Sequence, residues 1–151
     1  MLMKNIHVSI RDQMLTLKED GTPIRSYPVS TSRFGIGTEE GSLKTPMGRF
    51  RVAEKIGRDM PAGTIFRSRV PLRPDDPPPP TDDLVMSRIL WLDGLDDHNA
   101  NTRERFIYIH GTKHENKIGS PDSCGCIRMR NADVVELFDL VDHGTPVFIE
   151  E

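Results

Sequence analysis

The first third of the chain consists of short segments in which apolar and polar residues alternate. Apolar residues take every second position of 6–10 and again of 15–17. A period of two puts the apolar side chains on one face of an extended strand. Asp20-Gly21, a dipeptide typical of hairpin turns, separates these segments from another apolar stretch at 24–29. The pattern therefore predicts antiparallel strands, and a chain that starts this way must build a sheet.

The remaining pattern adds more strands and one helix. Further extended segments are expected at 49–53, 65–70, 85–92, 105–110 and 145–150. The principal helix is predicted at about 132–142, with Asn131 as its N-cap and Gly144 ending it. Its apolar stripe is formed by Val134, Leu137, Phe138 and Val141. The sequence thus predicts a mainly β fold with a single principal helix.

The length and one proline-rich stretch define the expected domain organisation. With 151 residues, the chain fits a single domain over 1–151 that is long enough to bury a core. Prolines cannot supply the donors of a strand ladder, so the stretch at about 71–83 is predicted to be a loop insertion. Two interpretations of this insertion stay open: a surface excursion, or a loop that borders a substrate groove.

Composition and charge argue against several classes of partner. The 20 basic and 23 acidic residues give a net charge of −3 without a basic stripe, so no nucleic-acid partner is expected. No segment approaches the roughly 20 apolar residues of a membrane span, and no membrane partner is expected. The N-terminus lacks the pattern of a secretory signal, and two cysteines cannot form a disulfide framework. These features predict a cytoplasmic protein.

The densest chemistry lies in two short motifs, His110-Gly111-Thr112 and Ser123-Cys124-Gly125-Cys126. A cysteine becomes a nucleophile when a neighbouring base or backbone donors favour its thiolate. His110, at the end of a predicted strand, is a suitable base, and a carbonyl of the following turn could fix its tautomer. Successive amides around 124–126 could converge on an oxyanion, and Arg128 could bind a carboxylate or brace the loop. The motifs indicate a cysteine–histidine acyl-transfer site.

The same residues allow other interpretations. Two imidazoles and two thiols, His110, His114, Cys124 and Cys126, could bind zinc, although Cys-x-Cys is tighter than the usual ligand spacing. The two cysteines could instead form a small, strained disulfide, or both could be buried structural residues. Acyl transfer is the preferred interpretation, and neither a metal nor a cofactor is expected.

The sequence resembles the YkuD-type L,D-transpeptidase domain. The resemblance rests on Ile109-His110-Gly111-Thr112, Ile118-Gly119, Ser123-x-Gly125-Cys126-Ile127-Arg128-Met129, Gly144-Thr145-x-Val147-x-Ile149 and the upstream Thr45-Pro46-x-Gly48-x-Phe50. It implies a β-sandwich-like fold with the cysteine in a groove. It also implies acyl transfer on peptidoglycan stem peptides, at the bond from the L-centre of diaminopimelate to a terminal D-alanine.

Roles follow from the resemblance position by position. Cys126 would be the nucleophile and His110 the base, with the Gly111 carbonyl orienting the imidazole. Backbone donors of Gly125 and Cys126 would form the oxyanion hole.

The resemblance also implies a substrate-binding set and one departure from the family. Ser123 and Arg128 would shape the loop and hold substrate, and Tyr108 is expected to join them in binding substrate. Cys124 stands where most members have histidine. Since the usual base matches His110, this difference is expected to change substrate orientation and acceptor choice more than activity.

The function expected from these features is that of a cytoplasmic L,D-carboxypeptidase. Such an enzyme would remove the terminal D-alanine from tetrapeptides of recycled muropeptides, with water as the acceptor. Its partners would be peptidoglycan stem peptides or muropeptides, and no oligomeric state is assigned. One alternative is an L,D-transpeptidase that forms cross-links. A second is a non-enzymatic module that binds zinc or the cell wall.

Overall fold

A computed structural model describes residues 3–151. The strands are β1 (Lys4–Ser9), β2 (Met14–Glu19), β3 (Thr22–Ser30), β4 (Gly48–Ile56), β5 (Ile65–Arg67), β6 (Val70–Pro71), β7 (Val85–Gly94), β8 (Tyr108–Gly111), β9 (Ile127–Met129) and β10 (Pro146–Glu150). The α-helix is α1 (Asn131–Leu140), and single 3₁₀ turns occur at Asp97–Asn99 and Glu115–Lys117. The prediction of a mainly β fold with one principal helix is confirmed.

All of these strands belong to one sheet, in the order β4-β10-β1-β2-β3-β9-β8-β7-β5-β6. An additional antiparallel pairing joins β4 to β7 and closes the sheet on itself, leaving β5 and β6 as an appended hairpin. Closure gives the two layers expected of a sandwich while removing the open strand edges at that seam. Helix α1 packs against β7 and β8.

The opening hairpin shows how the alternation builds the core. β1 and β2 pair in antiparallel register, with Ile6 opposite Leu17 and Val8 opposite Leu15. All four side chains are fully buried in the main core. Gly21 supplies the positive φ of +83° that the connection to β3 requires. The period of two in the sequence therefore sets which face of the sheet is inside.

The helix differs from its prediction at both ends. It begins at Asn131 and ends at Leu140, so Asn131 is its first residue and the N-cap position belongs to Arg130. The side chain of Asn131 is engaged elsewhere, and its backbone N–H donates to Glu115 Oε2 at 2.8 Å. The first turn is thus satisfied by a distant carboxylate, which local sequence rules do not detect.

The C-terminal end of α1 is held by two lysines rather than by glycine. Lys4 Nζ donates to the carbonyl of Leu140 at 2.8 Å, and Lys55 Nζ donates to that of Val141 at 2.6 Å. Cations near these carbonyls stabilise a helix end. The backbone is already extended at Val141, so the expectation that Gly144 ends the helix is wrong: Gly144 has φ +86° and forms the turn before β10.

Two predicted strands are also corrected, and one strand was missed. The strand expected at 65–70 is a hairpin, β5 and β6, whose turn residues Ser68 and Arg69 have φ of 47° and 70°. The strand expected at 105–110 begins only at Tyr108, because the preceding residues form turns. β9 was not predicted at all, since a three-residue strand carries no readable period.

The proline-rich stretch forms a loop over 72–84, between β6 and β7. Leu84, at its end, is buried, and Asp83 is held by a bond from its N–H to Thr81 Oγ1 at 3.1 Å. Within the described residues, no helix is long and apolar enough to cross a bilayer.

Candidate active site

The site is built on a parallel pair of short strands at the centre of the sheet. β8 and β9 are in register, with Ile109 beside Ile127 and His110 beside Arg128. The two isoleucines face the main core, so alternation directs His110 and Arg128 to the opposite face. Tyr108 and Cys126, each two residues earlier, share that face, and both belong to a second apolar cluster. The sheet thereby brings the two sequence motifs together.

The Cys126 thiol lies between two backbone groups of the segment that leads into β8. The N–H of Tyr108 donates to Sγ at 3.3 Å, and the S–H donates to the carbonyl of Phe106 at 3.3 Å. The residue is half-buried and borders an open cleft of about 340 Å³. The cleft is lined by Glu40, Gly41, Leu43, Glu104, Arg105, Phe106, Ile107, Cys124 and Cys126.

The resting thiol is protonated. Burial is the main reason that the pKa of Cys126 is raised to about 12, and the negative charge of Asp83 raises it further. The N–H of Tyr108 and the charge of Arg128 act in the other direction. For this sulfur to act as a nucleophile, a base has to remove its proton as it attacks.

His110 has the tautomer that such a base needs. Its Nδ1 lies 2.5 Å from the Gly111 carbonyl oxygen. A carbonyl can only accept, so Nδ1 carries the proton and Nε2 keeps its lone pair. The side chain is 1% exposed, and burial lowers its pKa, against the opposing effects of Asp83 and of the Gly111 carbonyl. The imidazole is consequently neutral at pH 7 and available to accept a proton.

Gly111 is confined by the start of α1. A Cβ at this position would lie 2.3 Å from Asn131 Oδ1 and 2.8 Å from the Met86 carbonyl oxygen. The Asn131 amide donates to the Thr112 carbonyl at 2.8 Å and accepts from Ser87 Oγ at 2.6 Å. By binding the Thr112 carbonyl, Asn131 fixes the turn that contains Gly111, whose own carbonyl orients His110. The expected role of Asn131 as an N-cap did not suggest this.

The loop before β9 is organised by the Ser123 hydroxyl. Ser123 is fully buried; its Oγ donates to the Cys126 carbonyl at 2.6 Å and accepts the Gly125 N–H at 3.2 Å. Thr45 Oγ1 donates to the Gly125 carbonyl at 2.9 Å, which ties the upstream motif to this loop. Ser123 therefore shapes the loop from within, and its hydroxyl does not face the cleft.

These contacts distinguish the two amides expected in the oxyanion hole. The Gly125 N–H is already paired with Ser123. The Cys126 N–H has no acceptor among residues 3–151. Gly125 has φ +124°, and a Cβ there would approach the Lys44 carbonyl oxygen to 3.3 Å, so glycine suits this tight turn. The Cys126 N–H is the amide left to meet a developing oxyanion.

Arg128 is enclosed by two carboxylates. Its Nε lies 3.0 Å from Asp83 Oδ1 and its Nη1 lies 2.7 Å from Asp122 Oδ2, with 4% of the side chain exposed. Burial would lower the pKa of Arg128, but the hydrogen bonds and charges of Asp83 and Asp122 outweigh it and raise the pKa. The geometry supports the loop-bracing role more directly than the binding of a substrate carboxylate.

An aromatic wall lies beside the thiol. Tyr108 is 7% exposed and meets Trp91 edge-on, with ring centroids 5.7 Å apart. Arg69 donates to Tyr108 Oη at 3.1 Å, and its guanidinium lies over Trp91 at 4.8 Å and over Phe106 at 5.1 Å. Burial raises the pKa of Tyr108, so its hydroxyl stays neutral. Phe106, half-exposed, gives the wall its open edge.

Cys124 is half-buried and does not pair with Cys126. It borders both the cleft at the thiol and a second, charged cleft that contains Asp82, Asp83, Asp122 and Arg128.

His114 is turned towards Asp82, with its Nε2 2.9 Å from the Asp82 carbonyl oxygen. In the described chain no three histidine, cysteine or carboxylate side chains gather as a metal site.

Three contributors escaped sequence reasoning: Thr45, Asn131 and Asp83. Thr45 lies in the upstream motif Thr45-Pro46-x-Gly48-x-Phe50, and that motif was the one sequence signal for its contact with the Gly125 carbonyl. The other two act across 19 and 45 residues of chain, on Thr112 and Arg128, and no local pattern marks them.

Comparison with known proteins agrees with this fold. The family model for the L,D-transpeptidase catalytic domain, YkuD, matches residues 4–149. The chain belongs to this family, which confirms the resemblance.

Two curated relatives carry the name L,D-transpeptidase YkuD. The chain is 30% identical to the Bacillus subtilis protein over 145 residues, covering 96% of this chain and 65% of the relative. It is 28% identical to the Bacillus licheniformis protein, covering 95% and 64%. The chain therefore spans slightly less than two thirds of these proteins.

Solved structures show the same fold at low identity. An L,D-transpeptidase from Mycobacterium smegmatis superposes with a TM-score of 0.63 at 18% identity, covering 99% of this chain and 59% of that one. One from Xylanimonas cellulosilytica gives 0.65 at 21% identity, covering 97% and 60%.

Proposed function

We propose that this protein is an L,D-carboxypeptidase that removes the terminal D-alanine from peptidoglycan tetrapeptides through a thioester on Cys126. The observation that carries the proposal is the pairing of β8 and β9. It places a protonated thiol on the same sheet face as a neutral imidazole whose Nδ1 is fixed by a backbone carbonyl. Family membership supports the class of reaction and the peptidoglycan stem peptide as substrate.

In the first half-reaction, His110 Nε2 takes the thiol proton while Sγ bonds to the carbonyl carbon of the L-centre. The Cys126 N–H faces the oxygen that becomes negative. As the tetrahedral intermediate collapses, the bond to the D-alanine nitrogen breaks and the imidazolium returns its proton to the leaving amine. A thioester on Cys126 and free D-alanine result.

In the second half-reaction, His110 takes a proton from water, and the resulting hydroxide attacks the thioester. The C–S bond breaks, the thiolate recovers the proton, and a tripeptide leaves. Water needs no binding site of its own, and the open cleft at Cys126 supports its access to the thioester.

Cross-linking is the second candidate, because the curated relatives are named as transpeptidases. Glu40 and Glu104 line the thiol cleft and could attract an acceptor ammonium. The first half-reaction is common to both candidates, and only the acceptor differs.

The proposed setting is the cytoplasm and the recycling of muropeptides. The presence of only two cysteines, both free, is compatible with a reducing compartment. Fractionation of cells that produce the protein tests this part separately: recovery outside the cytoplasmic fraction would contradict it.

The decisive experiment incubates the protein with a defined tetrapeptide muropeptide and identifies the products by mass. We expect tripeptide and D-alanine without dimers. Cys126→Ala and His110→Ala should abolish turnover. Cys124→Ala is the matched control, because it removes the other cysteine, two positions before Cys126, and it should keep much of the turnover.

Three outcomes would contradict parts of this proposal. Predominant dimers would establish the transpeptidase instead. Equal loss in Cys124→Ala would overturn the assignment of the two cysteines. Stoichiometric zinc in the purified protein, together with an unaffected Cys126→Ala, would favour the non-enzymatic module.

A further inference from the structure

The end of the proline-rich loop lies against the candidate site. Asp83 comes two residues before β7, the strand that pairs with β8 and sets Ile89 beside His110. The Asp83 backbone is held by Thr81 Oγ1, and the next residue, Leu84, is buried. The carboxylate is therefore carried by a fixed piece of backbone.

Two neighbouring carboxylates join this loop to both halves of the site. Asp82 Oδ1 lies 3.2 Å from Lys113 Nζ, and Asp82 Oδ2 lies 3.3 Å from His114 Nε2. Both partners follow shortly after the end of β8. Asp83 lies 3.0 Å from Arg128 Nε in β9. The Asp82 pairs are exposed and contribute little. Arg128 is nearly enclosed, so its charge depends on carboxylates for compensation.

We propose that Asp83 is a positioning residue for the reaction: by pairing with Arg128 it holds β9 and the Cys126 thiol in place beside the His110 strand. The proposal rests on the thiol–imidazole chemistry proposed above. It assigns the proline-rich insertion a function, because the insertion delivers this carboxylate to the site.

The charges around Asp83 give the proposal a distinctive readout. Asp82, Asp122, Arg128, His114, Lys117 and Arg33 line the same cleft, and Lys113 pairs with Asp82. Among the causes that shift the pKa of both Cys126 and His110, Asp83 raises each value and Arg128 lowers each. Asp122 pairs with the same guanidinium but is not among those causes.

Asp122 therefore provides a matched control. Asp83→Asn and Asp122→Asn each remove one carboxylate from Arg128, but only the first removes a charge that acts on the catalytic pair. Alkylation of Cys126 by iodoacetamide is measured against pH in a Cys124→Ala background, so that only one thiol reacts. We expect Asp83→Asn to react several-fold faster at a fixed alkaline pH, and Asp122→Asn to follow the parent.

Turnover supplies a second readout. In Asp83→Asn we expect a lower kcat for D-alanine release and an acid limb of kcat/KM displaced to lower pH, since the His110 pKa falls without the nearby negative charge. Thr81→Ala keeps the carboxylate but loosens its backbone, so it should lower kcat with a smaller displacement. It also serves as the substitute if Asp83→Asn fails to fold.

The proposal is overturned if Asp83→Asn and Asp122→Asn give the same profiles, or if Thr81→Ala and Asp83→Asn are both indistinguishable from the parent. Alkylation requires no substrate. A protein that releases no D-alanine but shows the Asp83-specific alkylation profile therefore contradicts the proposed function and not the role of Asp83.

Discussion

The resting state of the site is a pair of neutral groups. His110 is kept uncharged by burial, and Cys126 keeps its proton for the same reason. Many cysteine enzymes lower the thiol pKa to obtain a standing thiolate. In the proposed reaction the proton moves only when the sulfur attacks, so the proposal depends on the Gly111 carbonyl that fixes the His110 tautomer as well as on the imidazole.

The pH dependence follows from the direction of the His110 shift. The pKa of His110 lies below its ordinary value of 6.5. The imidazole is then active as a base above that lowered pKa and loses its function as pH falls through it. We expect the acid limb of kcat/KM for D-alanine release to lie below pH 6.5. A limb at or above 6.5 in the wild-type profile would contradict a buried neutral base.

Sequence reasoning at this scale singled out Cys126, His110, Gly111 and Gly125 as candidates because each lies in a compact motif with recognisable chemistry. It could not find Asp83, whose partner Arg128 is 45 residues away. Contacts of that kind are made by the fold and leave no local spacing to read.

At the scale of elements, the site depends on how closely β8 approaches the start of α1. Gly111 and Asn131 meet where the strand ends and the helix begins. Alternation predicted the long strands well, because their period of two extends over several residues. The helix α1 begins one residue earlier than predicted, because the backbone of its first turn is satisfied by Glu115 and not by a local cap.

Gly111→Ala tests this junction. The added methyl group would lie 2.3 Å from Asn131 Oδ1, and the amide that it displaces holds the Thr112 carbonyl. We expect a loss of about 1–3 kcal/mol in the free energy of unfolding, together with a fall in kcat. Urea denaturation and D-alanine release measure the two effects.

Gly37→Ala is the control, because its Cβ would contact Cδ of Lys44, the flexible part of a side chain that can move away. If both variants lose the same stability and activity, the junction has no special importance.

At the scale of the whole molecule, the closed sheet makes the site and the core one structure. The β4–β7 pairing sets Val52 beside Leu92, and both are fully buried. Trp91, the single tryptophan, adjoins Leu92 and forms part of the wall at the thiol. Most of the strands were accessible from the sequence. The closure was not, because it joins segments separated by about forty residues.

Leu92→Ala tests the coupling between seam and site. We expect a loss of about 2–5 kcal/mol in the free energy of unfolding, with tryptophan fluorescence and far-ultraviolet circular dichroism still giving one shared midpoint. Leu95→Ala, at a side chain that is 48% exposed, should lose much less. Separate midpoints for the two signals in either variant would show that the site unfolds independently of the seam.

The raised pKa of Cys126 also bears on how long such an enzyme lasts. Peroxides oxidise the thiolate far faster than the thiol, and further oxidation of cysteine is irreversible. A nucleophile with a pKa of about 12 presents almost no thiolate at neutral pH. In the proposed enzyme this sulfur is therefore protected from oxidants during the intervals when no substrate is bound.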